Sequence, residues 1–276
     1  MLKLMLKPML KVFVSVCLLS SLVWLPSALA QESQTLSKAD LQRLWPIWRG
    51  KRTTEQVLER YGDLAEEKLK GYFSKAGVGY PPERISLVSL KEEKIMELWA
   101  WHEGRWKHIH DYPIQGASGH AGPKLRQGDR QVPEGIYKVL YLNPNSNYHL
   151  SMKLNYPNEF DRSQAKKDGR SNLGGDIFIH GTEYSIGCLA IGNEQIQELY
   201  VLAAQTGVKN IETLIAPYDL RRHKPIKRHT DPDWVDGLYA DLQKRLQTDF
   251  PRSPKPKQVA KTEPKAKHPA DVLAIH

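Results

Sequence analysis

The spacing of apolar residues changes period twice along this chain. From Thr54 to Lys75, Val57, Leu58, Tyr61, Leu64, Ala65, Leu69 and Tyr72 recur at helical intervals. The spacing predicts a helix capped by Thr54 and stopped at Gly77. Pro81-Pro82 breaks the chain, and the period then shortens to that of strands. Runs at Ile85–Leu90, Ile95–Trp101 and Trp106–Tyr112 read as an antiparallel meander, with turns at Glu92-Glu93 and Glu103-Gly104. Trp99, Trp101 and Trp106 read there as sheet-face packing. A Gly- and Pro-containing connection from Gly116 to Gly135 precedes strands at Ile136–Leu142 and Tyr148–Leu154, joined through Asn143-Pro144-Asn145. Asp161 to Gly175 is polar and reads as a loop, and Asp176–His180 reads as a buried strand. Helical spacing returns at Asn193–Thr206 and Asp233–Leu246, on either side of a last core strand at Thr213–Pro217. The expected fold is mainly β with peripheral helices, of the α+β class.

The two ends change this picture. Lys3, Lys7 and Lys11, an apolar run from Val12 to Leu25, and Ala28-Leu29-Ala30 form the pattern of a cleaved secretory signal over residues 1–30. The apolar run is shorter than the roughly 20 residues of a membrane span, although retention as an anchor stays open. The expected location is therefore periplasmic. Residues 31–83 read as a helical segment, with Leu41, Leu44, Trp45 and Trp48 clustered early in it. Residues 84–217 read as the main domain, 218–250 as a helical extension and 251–276 as a disordered Pro- and Lys-rich tail. Lysine and arginine total 40 against 31 acids, and the excess falls to six once the three signal lysines are removed. That balance suits an anionic envelope, and ordinary solubility explains it as well. No nucleic-acid motif accompanies the basic residues, which concentrate in the tail.

The candidate chemistry centres on one thiol. Cys17 falls in the signal, so Cys188 is the sole cysteine of the mature chain and has no intramolecular disulfide partner. Exported cysteines usually come in pairs, so a lone one calls for a reason. His180 lies eight residues upstream, at the end of an apolar strand. An imidazole within reach can take the thiol proton, favour a thiolate nucleophile and later protonate a leaving amine. Gly181 and Gly187 allow close backbone approach, and the amides of Gly187 and Cys188 could form an oxyanion hole. Ser185 is placed to orient the turn or to bond the imidazole. A buried structural cysteine beside a buried histidine is the competing account. Tyr184, Glu183, His149 and Arg130 are candidate substrate contacts, Arg130 together with Asp129. His120, in a Gly-rich loop, is a further candidate for substrate access. His108 and His110 share a strand face, but no third ligand is marked, so no metal is assigned. Thiol chemistry of this kind calls for no cofactor.

His180-Gly181 followed by Ser185-Ile186-Gly187-Cys188 resembles the signature of the L,D-transpeptidase catalytic domain. Gly122-Pro123-Lys124-Leu125 and Val132-Pro133-Glu134-Gly135-Ile136-Tyr137 are similar to the stretch before that family's central strands. The resemblance covers roughly residues 84–217. It implies a β-sandwich-like fold and a thioester acyl-enzyme formed on peptidoglycan stem peptides, with Cys188 as nucleophile and His180 as base. Three departures mark a divergent branch. Only Thr182, Glu183 and Tyr184 separate the two halves of the signature, Ile186 stands where histidine is common, and Ala190 stands where a polar residue is common. These features, with Asn143-Pro144-Asn145-Ser146 and Tyr156–Arg162, resemble members that act on the linkage between murein and an outer-membrane lipoprotein. Hydrolytic release of lipoprotein or stems is the expected direction. Cross-linking, or attachment of lipoprotein, passes through the same acyl-enzyme and stays open. A catalytically silent envelope-binding module of the same fold is the alternative from another class.

Overall fold

The structure is a computed structural model and describes residues 51–252. The signal pattern, the Leu41–Trp48 cluster and the tail beyond Arg252 lie outside the described residues. Helix α1 (Thr54–Lys75) has the bounds that its pattern suggested, but its cap lies one residue earlier. Thr53 is the N-cap, and Gln56 closes a reciprocal capping box with it. Three strands follow as a meander: β1 (Ile85–Leu90), β2 (Ile95–His102) and β3 (Arg105–Pro113). The pair β4 (Gly116–Ala117), then β5 (Gly135–Asn143) and β6 (Ser151–Leu154), lead to α2 (Glu159–Lys167). After β7 (Phe178–His180) and β8 (Leu189–Ala190) come α3 (Asn193–Thr206), β9 (Ile211–Ala216) and α4 (Trp234–Thr248).

The nine strands form one sheet in the order β3-β2-β1-β9-β5-β6-β7-β8-β4. The sandwich-like form arises from one sheet that curls, with β5 bonded to β9 on one side and β6 on the other. Strand β1 explains why the sheet needs helices on both faces. All six of its residues are buried. Ile85 and Leu87 join a core with Leu69 and Phe73 of α1 and Leu199 and Leu202 of α3. Val88 and Leu90 point the other way and pack with Trp99, Leu214 and α4 residues Leu238, Leu242 and Leu246. A strand buried on both faces loses the alternation of a surface strand and reads as a continuous apolar run. Packing therefore crosses both pattern boundaries, at 84 and at 217.

Three local features differ from expectation. The polar stretch expected as a loop from Asp161 to Gly175 begins inside a helix, α2, and is loop only after Lys167. A capping box between Asn158 and Asp161 starts that helix, and only Ala165 is buried, so it leaves no apolar stripe to read. The strand expected from Tyr148 begins at Ser151, because His149 has φ of +75° and cannot continue a strand. Asp176, with φ of +57°, likewise delays β7 to Phe178. Among the tryptophans, Trp99 is buried against Phe250, while Trp101 and Trp106 meet edge to face.

Candidate active site

The register of three short strands assembles the site. Strand β7 pairs antiparallel with β6, setting Ser151 opposite His180 and Lys153 opposite Phe178. It pairs parallel with β8, setting Ile179 opposite Leu189 and His180 opposite Ala190. Side chains alternate across a sheet, so Phe178 and His180 share a face. Continuing the register places Cys188, just before β8, beside Phe178 on that face. The thiol thus returns alongside the imidazole strand in the same direction, through a turn spanning only Gly181–Cys188.

That turn depends on two glycines. A Cβ on Gly181 would sit 2.6 Å from Asn193 Oδ1 and 2.8 Å from the Tyr148 carbonyl, which are clashes. Gly187 has φ of +111°, a conformation that L side chains rarely adopt. Ser185 Oγ ties the turn by donating to the Cys188 carbonyl at 2.7 Å and accepting from the Ser118 amide at 3.2 Å. Ser185 therefore orients the turn, and no bond links it to the imidazole. Ser118 is a positioning residue that the sequence did not single out: its Oγ accepts from the Gly187 amide at 2.6 Å. The Gly187 amide is thus committed to the turn rather than to an oxyanion. The Cys188 amide makes no hydrogen bond among the described residues.

Cys188 and His180 line one open cleft of about 390 Å³ with Asn143, Asn145, Tyr148, Asp176, Tyr184 and Ile186. His180 is buried, and its Nδ1 lies 2.5 Å from the Gly181 carbonyl. A carbonyl can only accept, so Nδ1 carries the proton and Nε2 keeps its lone pair. Burial lowers the His180 pKa below the ordinary imidazole value, partly offset by this bond. The Tyr148 ring covers the imidazole at a centroid distance of 4.6 Å. The half-buried thiol donates weakly to the Asp176 carbonyl at 3.6 Å. Burial pushes its pKa up, while the Phe178 backbone and the Lys153 ammonium pull it down by less. Both shifts work against a preformed thiolate–imidazolium pair.

A measurement follows from those two directions. Alkylation of Cys188 by a small neutral reagent is expected to rise with pH through an inflection above the ordinary thiol value of about 8.5. An inflection well below that value would mean a preformed thiolate–imidazolium pair and would refute the burial account.

The other candidates divide. Tyr184 lines the cleft with its side chain largely exposed. Glu183 is exposed and is absent from the cleft wall; its backbone carbonyl instead packs against Gly116. His149 does not face the cleft either. Its Nε2 lies 2.8 Å from Gln197 Nε2, and its ring meets Tyr61 edge to face, so its role is to buttress the loop before β6. Arg130 is exposed in a surface turn, with φ of +57°. Asp129 holds that turn by accepting from Lys124 Nζ and from the Leu125, Arg126 and Gln131 amides. His120 bonds Gln131 and Arg228, away from the cleft wall. His108 pairs with Asp111, and His110 stacks on Tyr72. Ala190 is fully buried between β7 and β4, so its small size answers packing against Gly116.

The family model for the L,D-transpeptidase catalytic domain, YkuD, matches residues 83–211. The chain is 33% identical over 150 residues to "Putative L,D-transpeptidase YafK" of Escherichia coli K12, covering 51% of this chain and 58% of that relative. The same protein from Escherichia coli O157:H7 gives the same figures, so the chain spans somewhat over half the length of these curated relatives. Among solved structures, it is similar to the helical cell shape determining protein Pgp2 of Campylobacter jejuni, K307A mutant. That likeness has 18% identity and a TM-score of 0.40, with 59% of this chain and 54% of the other covered. Bd1075 of Bdellovibrio bacteriovorus follows at 22% identity and a TM-score of 0.38, with 59% and 56% covered. Over residues 83–211, this chain is similar to the catalytic domain of the L,D-transpeptidase family.

Proposed function

We propose that this chain is an exported cysteine acyl-transfer enzyme that acts on diaminopimelate-containing peptidoglycan stems through a thioester on Cys188. One observation carries the reading: Cys188 and His180 line the same cleft, and the bond from Nδ1 to the Gly181 carbonyl keeps Nε2 as a proton acceptor. In the first step, Nε2 takes the thiol proton as Sγ attacks the acyl carbon. The developing oxyanion is met by the Cys188 amide. The carbon–nitrogen bond then breaks, and the amine departs with the proton from Nε2. An acceptor, water or an amine, attacks the thioester and frees Sγ, which regains a proton. Location in the periplasm rests on the signal pattern of residues 1–30.

Water is the favoured acceptor. The Thr182–Tyr184 connection is short, and Tyr184 and Ile186 stand more than 70% exposed at the rim. Such a rim offers little surface to hold an amine against the thioester, and orientation of that kind contributes much of a transfer rate. Murein-bound lipoprotein is the proposed donor that sets this branch apart. The test supplies a lipoprotein-linked muropeptide as donor and a diaminopimelate-bearing stem as acceptor, and weighs the products by mass. Free lipoprotein and untethered stems are expected to dominate. Predominance of cross-linked stems or newly attached lipoprotein would make the protein a transpeptidase. A folded protein that forms no Cys188 adduct with any donor would be a binding module.

A further inference from the structure

Among the described residues, Asp176 is the one carboxylate lining the cleft, and no lysine or arginine lines it. Its geometry is unusual in three ways. Its backbone adopts φ of +57°, which is uncommon for a residue with a side chain. Its carbonyl receives the Cys188 thiol, so the acid sits beside the reacting sulfur. Its side chain is 91% exposed although it is paired at 2.6 Å with Lys153, whose own side chain is only 10% exposed. Lys153 rises from β6, with its ammonium 4.6 Å from the Phe178 ring centroid, and reaches Oδ1. Oδ2 has no hydrogen-bond partner among the described residues. A pair formed only to neutralise a buried lysine would not need its acid turned outward into a cleft. The arrangement fixes a carboxylate from below and leaves one face open.

Resting on the reading of Cys188 as nucleophile, we propose that Asp176 is the specificity residue of this cleft, receiving a cationic amine on the acyl donor. The donor class is then a peptide whose attacked residue carries a free ammonium on its side chain. Lys153 acts as a positioning residue: it holds the carboxylate in place through Oδ1, while Oδ2 accepts from the ammonium. An ammonium–carboxylate contact in a partly enclosed cleft is a charge-assisted hydrogen bond, stronger than a neutral one.

Binding separates this idea from the chemistry. The Cys188→Ala protein is titrated with a diaminopimelate-bearing tetrapeptide stem, whose last residue supplies the leaving amine, and with the same stem acetylated on the diaminopimelate side-chain amine. The free amine is expected to bind at least about tenfold tighter, the ratio produced by a charge-assisted bond of about 1.4 kcal/mol. Adding Asp176→Asn should bring the two affinities together by weakening only the free-amine stem. Equal affinities in the Cys188→Ala protein, or a ratio that survives Asp176→Asn, would overturn the proposal. The wild-type protein supplies the second readout, the acylation rate of Cys188 with each stem. Absence of acylation together with a tenfold binding preference would sink the enzymatic reading and leave the amine site standing.

Discussion

Replacing Cys188 with alanine is expected to lower acyl transfer by at least about a thousandfold, the scale seen when a nucleophile is removed from a preorganised site. The fold should survive. The thiol is half-buried and belongs to neither apolar core. The tight turn around it is held by Ser185, Ser118 and the two glycines rather than by sulfur. The stability change should stay within about 1 kcal/mol, as for substitutions outside a core. Activity on a lipoprotein-linked muropeptide and a thermal melt decide it together. A melting temperature that falls steeply while the remaining folded protein keeps its activity would mean that Cys188 is a packing residue.

The largest stability effect is expected far from the cleft. Lys91, just past β1, is buried, and burial lowers its pKa. Its ammonium donates to the Gly122 and Val132 carbonyls and to Glu134 Oε1, all at 2.9–3.0 Å. Glu134 also accepts from the Gly122 amide and from Tyr239 of α4. This hub joins the sheet, the long connection before β5 and the last helix. Lys91→Met would leave a buried carboxylate without its counter-charge. The cost is expected to be about 3–5 kcal/mol in denaturant unfolding, the range for breaking one side of a buried pair. Adding Glu134→Gln should recover part of that loss, because the uncharged amide can accept from the Gly122 amide with its one oxygen and donate its NH2 to the Tyr239 hydroxyl. A cost below about 1 kcal/mol for Lys91→Met alone would show that the connection relaxes to admit water.

The elements that bury an apolar stripe or run were legible in the sequence. Helices α1, α3 and α4 and strands β1, β2, β3, β5 and β9 lie within three residues of their patterns at either end. Where burial does not set the pattern, it misled. Helix α2 hides because its stability is local, resting on a capping box rather than on an apolar face. Strands β4 and β8, two residues each, are too short to carry a period. The site follows the same division. Cys188 and His180 are close in sequence and sit in one motif, so chain order alone suggested their pairing. Ser118 reaches the cysteine turn, and Tyr148 and Asp176 reach the cleft, through strand register that no local pattern encodes. The Asn143–Asn147 turn offered a signal for part of this wall, because a polar turn between two predicted strands must lie at a sheet end.

The last described residue, Arg252, is clamped by Glu97 and Asp111 on the β2–β3 hairpin, and Arg221 shares Glu97 with it. That clamp sits on β2 and β3, while the cysteine strand lies near the other end of the strand order. The end of the described chain is therefore fixed to strands that lie far along the sheet order from the cysteine strand, so loss of Glu97 or Asp111 would free that end without touching the cleft.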